Sequence, residues 1–133
     1  MNLNVNWPVV IVATVVVYLF GWLWYGMLFE AQWEALTAVT VESDDWGAML
    51  WGVPATLLTM IGLGWLIGRD STWPAGLKTG LMAGVFFAVT TSSFAYIYEG
   101  ANPGLILIDW GHLLIAFGLG GTIIGGLKLG KAG

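Results

Sequence analysis

Pro8 to Phe29 reads PVVIVATVVVYLFGWLWYGMLF, rich in valine and isoleucine at first and in aromatics later, with no charged side chain anywhere in it. A helix needs about 20 apolar residues to cross a bilayer, so this stretch is long enough by itself. A cleaved signal peptide would carry a basic leading segment and small residues at its end. Here nothing basic precedes Pro8, and the stretch closes on Trp24, Tyr25 and Phe29. We read it as a retained first span. The rest of the chain agrees: of 133 residues 58% are hydrophobic and only 9% charged, with a mean hydropathy of +0.83. A soluble domain carries about 25% charged residues, and four basic plus eight acidic side chains are too few to cover the surface that so short a chain exposes.

Three more spans follow by the same criterion. The expected set is about residues 8–29, 46–68, 76–98 and 104–127, with an acidic outer loop over 30–45. Within that loop Trp33, Leu36 and Val39 suit a short interfacial helix. Ser43, Asp44 and Asp45 suit the start of the second span as cap and as negative charge against the helix dipole. Pro54 lies inside that span, where a bend is expected. Arg69 and Asp70 end it, and Ser71 to Pro74 form the turn. Glu99 to Pro103 is so short that spans three and four must form an antiparallel hairpin, with Asn102-Pro103 as a helix start. The fold class is an all-α integral membrane four-helix bundle in a single transmembrane domain.

Charge sets orientation. Arg69, Lys78, Lys128 and Lys131 all lie at the turn between spans two and three or at the C-terminal end. Basic residues in short flanks mark the cytoplasmic side, so both termini are expected there, in a bacterial inner membrane. The net charge of −4 argues against nucleic acid as a partner, since phosphates need a basic surface. With no cysteine in the chain, disulfides, thiolate metal sites and cysteine nucleophiles are excluded.

Small residues recur four apart at Gly64 and Gly68, at Gly76, Gly80 and Gly84, and at Gly121 and Gly125. In lipid, helices associate where such residues let backbones approach. All seven fall in the half assigned to the cytoplasmic side, while Trp22, Trp24, Tyr25, Trp46, Trp51, Tyr96, Tyr98 and Trp110 fall in the other. The bundle should be tight at one end and wider at the other. Trp46 and Tyr98 read as an interfacial belt. The stripe Tyr18, Trp22, Tyr25 and Phe29 is either packing core or cavity wall, and Trp22, Trp24 and Tyr25 are the candidate wall residues. More glycine faces than one bundle needs suggest a homo-oligomer.

Asp109 is the carboxylate placed inside a span, with His112 one turn later on the same helix face. A carboxylate at membrane depth costs at least about 2.5 kcal/mol on insertion scales and calls for a partner. Counted from Ala101 at the hairpin tip, Ser93 and Asp109 lie eight residues away on either side, and Thr90 and His112 lie eleven. Equal counts imply similar depth, so Thr90, Thr91, Ser92 and Ser93 are expected to face Asp109 and His112, with Tyr25 and Trp22 as third-helix donors.

Such a cluster is either an interhelical hydrogen-bond device in a structural or accessory protein, or a proton or ion relay in a small oligomeric transporter or channel-like protein. One histidine and one carboxylate are too few ligands for a metal or haem, so no metal and no cofactor is expected. Neither a nucleophile elbow nor a carboxylate pair points to an enzyme. The partner is the lipid bilayer, and the wide end has room for a lipid, a quinone or a small solute.

The run Gly21-Trp22-Leu23-Trp24-Tyr25-Gly26-Met27-Leu28-Phe29, followed by Trp33, resembles a bacterial family of small four-span membrane proteins classed as a domain of unknown function. The carried positions are Gly21, Trp24, Tyr25, Gly26, Leu28, Phe29 and Trp33, with an Asp near the start of span four. The resemblance implies a membrane location and a four-span fold, and no reaction. His112 is not a carried position. Gly26 is expected to let a neighbouring segment pass close.

Overall fold

The computed structural model describes residues 4–37 and 46–129, and every element among them is helical. Four helices are long and apolar enough to cross a membrane: Trp7–Leu28, Met49–Ile67, Trp73–Tyr98 and Pro103–Gly126. The protein is an all-helical multi-pass membrane protein. Ser43, Asp44, Asp45, Val39 and Lys131 lie outside the described residues.

The first span is α1 (Trp7–Leu23) extended by one wide π turn, Trp24–Leu28, in which the Phe29 N–H donates to Trp24 O, five residues back, at 2.9 Å. The short helix α2 (Glu30–Thr37) follows and sets Leu36 beside Gly104 at the start of the fourth span. The second span, α3 (Trp46–Ile67), runs unbroken through Pro54. In the turn before that proline the Tyr18 hydroxyl donates to Met49 O at 2.8 Å, tying α1 to α3. The third span is α4 (Trp73–Ala83), a second π turn at Gly84–Val89, and α5 (Thr90–Tyr98). It begins at Trp73 rather than near Gly76, because Pro74 sits in the first helical turn, where a missing N–H is no loss. A tight turn, Pro103–Leu105, leads into α6 (Ile106–Gly126), the core of the fourth span.

The fourth span is the centre of the bundle and packs against each of the other three. The first span lies against the second, and the second meets the third through α4. On α1 the buried residues Val9, Val10, Ala13, Thr14 and Val17 form one stripe at helical spacing. It closes on Met60 and Leu63 of α3 and on Ala116 and Ile124 of α6.

Glycine sets the distance between α4 and α6. A Cβ added at Gly76 would run into Gly121 O and lie 2.9 Å from the Gly125 Cα; one at Gly80 would strike Phe117 O and lie 3.2 Å from the Gly121 Cα. Gly84 would meet the Phe117 Cβ at 3.1 Å, and Gly64 would meet Val10 of α1 at 2.9 Å. These glycine faces are occupied within the chain. Gly68 is a correction of another kind: its φ of +77° ends α3, and among the described residues nothing lies within 4 Å of a Cβ built there. It makes the turn and packs no helix. At the same end Lys128 donates from Nζ to Ser71 O and to Gly125 O, satisfying a carbonyl of the last turn of α6. The Asn6 amide donates to Leu129 O at 2.8 Å.

Two substitutions test this seam. Gly76→Ala forces backbone apart and is expected to lower stability by about 1–3 kcal/mol, read by unfolding in mixed micelles. Gly62→Ala has open space around it and is expected to be neutral or stabilising by up to about 1 kcal/mol.

Candidate functional site

Asp109 lies in the first turn of α6, where a negative charge meets the positive end of the helix dipole. The tight turn before it is held by Asn102, whose side chain accepts from the Gly104 N–H at 2.9 Å. Both carboxylate oxygens are engaged. The Tyr25 hydroxyl donates to Oδ1 at 2.7 Å, and the Tyr96 hydroxyl donates to Oδ2. A carboxylate has acceptors only, and two hydroxyl donors complement it. Because Tyr25 belongs to the first span and Tyr96 to the third, one carboxylate joins three spans.

The first-span run makes a second attachment to the same turn of α6. Trp24 donates from Nε1 to Ile108 O at 3.0 Å, and its ring covers Gly111, where an added Cβ would lie 3.1 Å away. The Trp24 ring is itself held by Phe29 at 4.6 Å and by Phe20 at 5.6 Å between centroids. Trp24 and Tyr25 open the π turn, and both reach α6. An extra residue in the turn widens it and re-aims the side chains that follow.

His112 points elsewhere. Its ring stacks parallel on Phe20, 5.5 Å between centroids with 2° between planes, and Tyr25 tilts against it at 4.9 Å. Nε2 is buried without a hydrogen-bond partner and faces Gly21, whose absent side chain leaves the space: a Cβ there would be 3.2 Å from that nitrogen. Val17, Tyr18, Trp22, Met49, Gly52 and Thr56, together with Gly21, Tyr25 and His112, line an open cleft of about 290 Å³ between the first, second and fourth spans.

The expected serine and threonine partners do not reach Asp109. Thr90 donates to Phe86 O, and Ser92 and Ser93 both donate to Val89 O; Thr90 and Thr91 are exposed on the outside of the bundle. A helical hydroxyl finds a carbonyl one turn back at no cost in reach. Tyr96, placed with the general aromatics of the wide end, takes their role. Antiparallel helices explain the offset. Each Cα–Cβ bond tilts toward its own helix N-terminus, so Asp109 leans toward the hairpin tip while Tyr96 leans away from it, and the two meet. A buried tyrosine hydroxyl needs a partner, and that need was the signal available in the sequence. Trp24 is a clamp on α6 and lies outside the cavity lining, whereas Trp22 and Tyr25 line it. Gly26 faces the Trp22 indole of its own span at an ordinary 3.6 Å, the nearest contact among the described residues.

Residues 8–125 match a family described as a protein of unknown function, DUF1761. The chain belongs to the DUF1761 family. No curated protein and no solved structure matches it. In this DUF1761 protein the run from Gly21 to Phe29 is the part of the first span that docks on Ile108 to His112. Gly21 accommodates the imidazole, Trp24 the helix backbone, and Tyr25 the carboxylate.

If Asp109 is the shared acceptor, Tyr25→Phe and Tyr96→Phe each cost about 1–2 kcal/mol, and the double variant departs from additivity by at least about 0.5 kcal/mol. A double-mutant cycle by unfolding in mixed micelles measures it.

Proposed function

We propose that this DUF1761 protein is a structural or accessory protein of the bacterial inner membrane, with both termini cytoplasmic, in which the Tyr25–Asp109–Tyr96 clamp sets the register of three spans. One observation carries the proposal: both oxygens of Asp109 are satisfied by hydroxyls from two other spans. Two donors fixed on different spans hold the carboxylate from two sides, which suits a device that sets helix register. Helix-to-helix hydrogen bonds in membranes average about 0.6 kcal/mol, reaching about 1.7, so the clamp chiefly selects one arrangement. Trp24 on Ile108 O adds to it at the same level.

Asp109→Asn separates this role from a relay. The expected result is a protein that inserts and folds with reduced thermal stability, and that matches the wild type in proton and cation flux measured in proteoliposomes. Wild-type flux that the substitution abolishes, with stability unchanged, assigns a relay instead.

Orientation is testable because the chain has no cysteine of its own. A Glu99→Cys variant is expected to react with a membrane-impermeant maleimide in intact spheroplasts, and Ser71→Cys only after lysis. The reverse pattern inverts the topology.

A further inference from the structure

We propose that the open groove between the second and third spans seats one acyl chain of an anionic phospholipid, whose phosphate is met by Arg69 and Lys78. The groove has a volume of about 340 Å³ and runs along the third span from Thr79 through Met82, Ala83 and Phe86 to Phe87, with Leu66 of α3 on its other side. From Thr79 to Phe87 is about 12 Å at 1.5 Å per residue, most of the roughly 15 Å that one leaflet contributes to a hydrocarbon core. Ala83 is its buried floor, and Leu66, Met82, Phe86 and Phe87 are exposed along it. An apolar track of leaflet length parallel to a span is what an acyl chain follows.

The occupant is selected at one end. Leu66 lies in the last turn of α3 and Thr79 in the second turn of α4, so the groove starts beside the turn that joins them. Arg69 follows Leu66 by three residues, and Lys78 precedes Met82 by one helical turn; both are exposed. A lysine there lays its stem along the span and carries its ammonium toward the headgroups. The bond from Lys128 to Ser71 O brings a third cation to the same turn. Against Arg69, Lys78 and Lys128 stands Asp70, so the turn keeps a positive balance. An anionic headgroup gains from that balance, and a zwitterionic one with its own ammonium gains less.

Thr79 adds a polar contact at the level between phosphate and chain. Thr56, Thr59, Thr90 and Thr122 each donate to a carbonyl one turn back. Thr79 makes no such bond among the described residues. It lines the groove at its basic end, where its hydroxyl can donate to a glycerol ester carbonyl.

The test uses the full chain in mixed micelles, read by native mass spectrometry with equal amounts of phosphatidylglycerol and phosphatidylcholine carrying the same chains. Retention of one phosphatidylglycerol is expected to exceed that of phosphatidylcholine by about fivefold or more. Arg69→Gln and Lys78→Gln, at exposed positions, are each expected to lower phosphatidylglycerol retention about fivefold, as loss of one basic residue beside anionic lipid does. Their helicity and their melting temperature in phosphatidylcholine are expected to match the wild type. Thr79→Phe keeps both charges, fills the groove at its mouth and is expected to displace the lipid. Glycerol phosphate, a headgroup without chains, is expected not to compete. Equal retention of the two lipids, a phosphatidylglycerol preference that survives the Arg69→Gln/Lys78→Gln double variant, undiminished retention in Thr79→Phe, or competition by glycerol phosphate overturns the proposal. None of these readouts involves Asp109, so they succeed or fail separately from the clamp.

Discussion

A carboxylate at membrane depth has no water to complete its hydrogen bonding, and the protein around Asp109 is arranged to supply that need. The charge sits in the first turn of α6, where the helix end favours it, and its oxygens accept from Tyr25 and Tyr96. Lipid gives helices little hydrophobic reason to associate. In that setting a satisfied charge reaching two neighbours is a strong constraint on how three spans line up. Misalignment by one residue would leave it unpartnered, at a cost of at least about 2.5 kcal/mol on insertion scales.

The two ends of the bundle are held by different physics. Near the turn at Gly68 the helices touch through backbone, where Gly76 and Gly80 meet Gly121 and Gly125. Near the hairpin tip they are held apart by large rings and joined by directed hydrogen bonds from Trp24, Tyr25 and Tyr96. Close backbone contact at one end and long side chains at the other splay the helices. The cavity beside His112 lies toward the splayed end, between the spans that carry Tyr18, Trp22 and Met49. The family resemblance of the first span acquires a physical meaning here: Gly21, Trp24 and Tyr25 are the residues that fit α6.

Much of this was legible in the sequence because lipid restricts what a chain can do. Uncharged length marks the spans, and a lone in-span carboxylate marks the place where partners must be found. Of the expected partners Tyr25 reaches the carboxylate and the hairpin hydroxyls do not. Counting residues from the hairpin tip compares Cα levels, and it ignores the opposite Cβ tilts and the reach of a tyrosine. It therefore pointed to Ser92 and Ser93, which bond their own backbone, and passed over Tyr96. The π turns at Trp24–Leu28 and Gly84–Val89 have no residue pattern that announces them, so the attachment of Trp24 to Ile108 O was out of reach. Gly68 shares the four-residue spacing of the packing glycines, and only its backbone angle separates a helix end from a contact.

Asp109 is held by two tyrosines from two other spans. Magic-angle-spinning NMR of the protein in lipid, with ¹³C at the aspartate carboxyls and the tyrosine hydroxyl-bearing carbons, tests it most directly. Two through-space cross-peaks from the Asp109 carboxyl are expected, one lost in Tyr25→Phe and the other in Tyr96→Phe. An Asp109 carboxyl with no tyrosine cross-peak would contradict it.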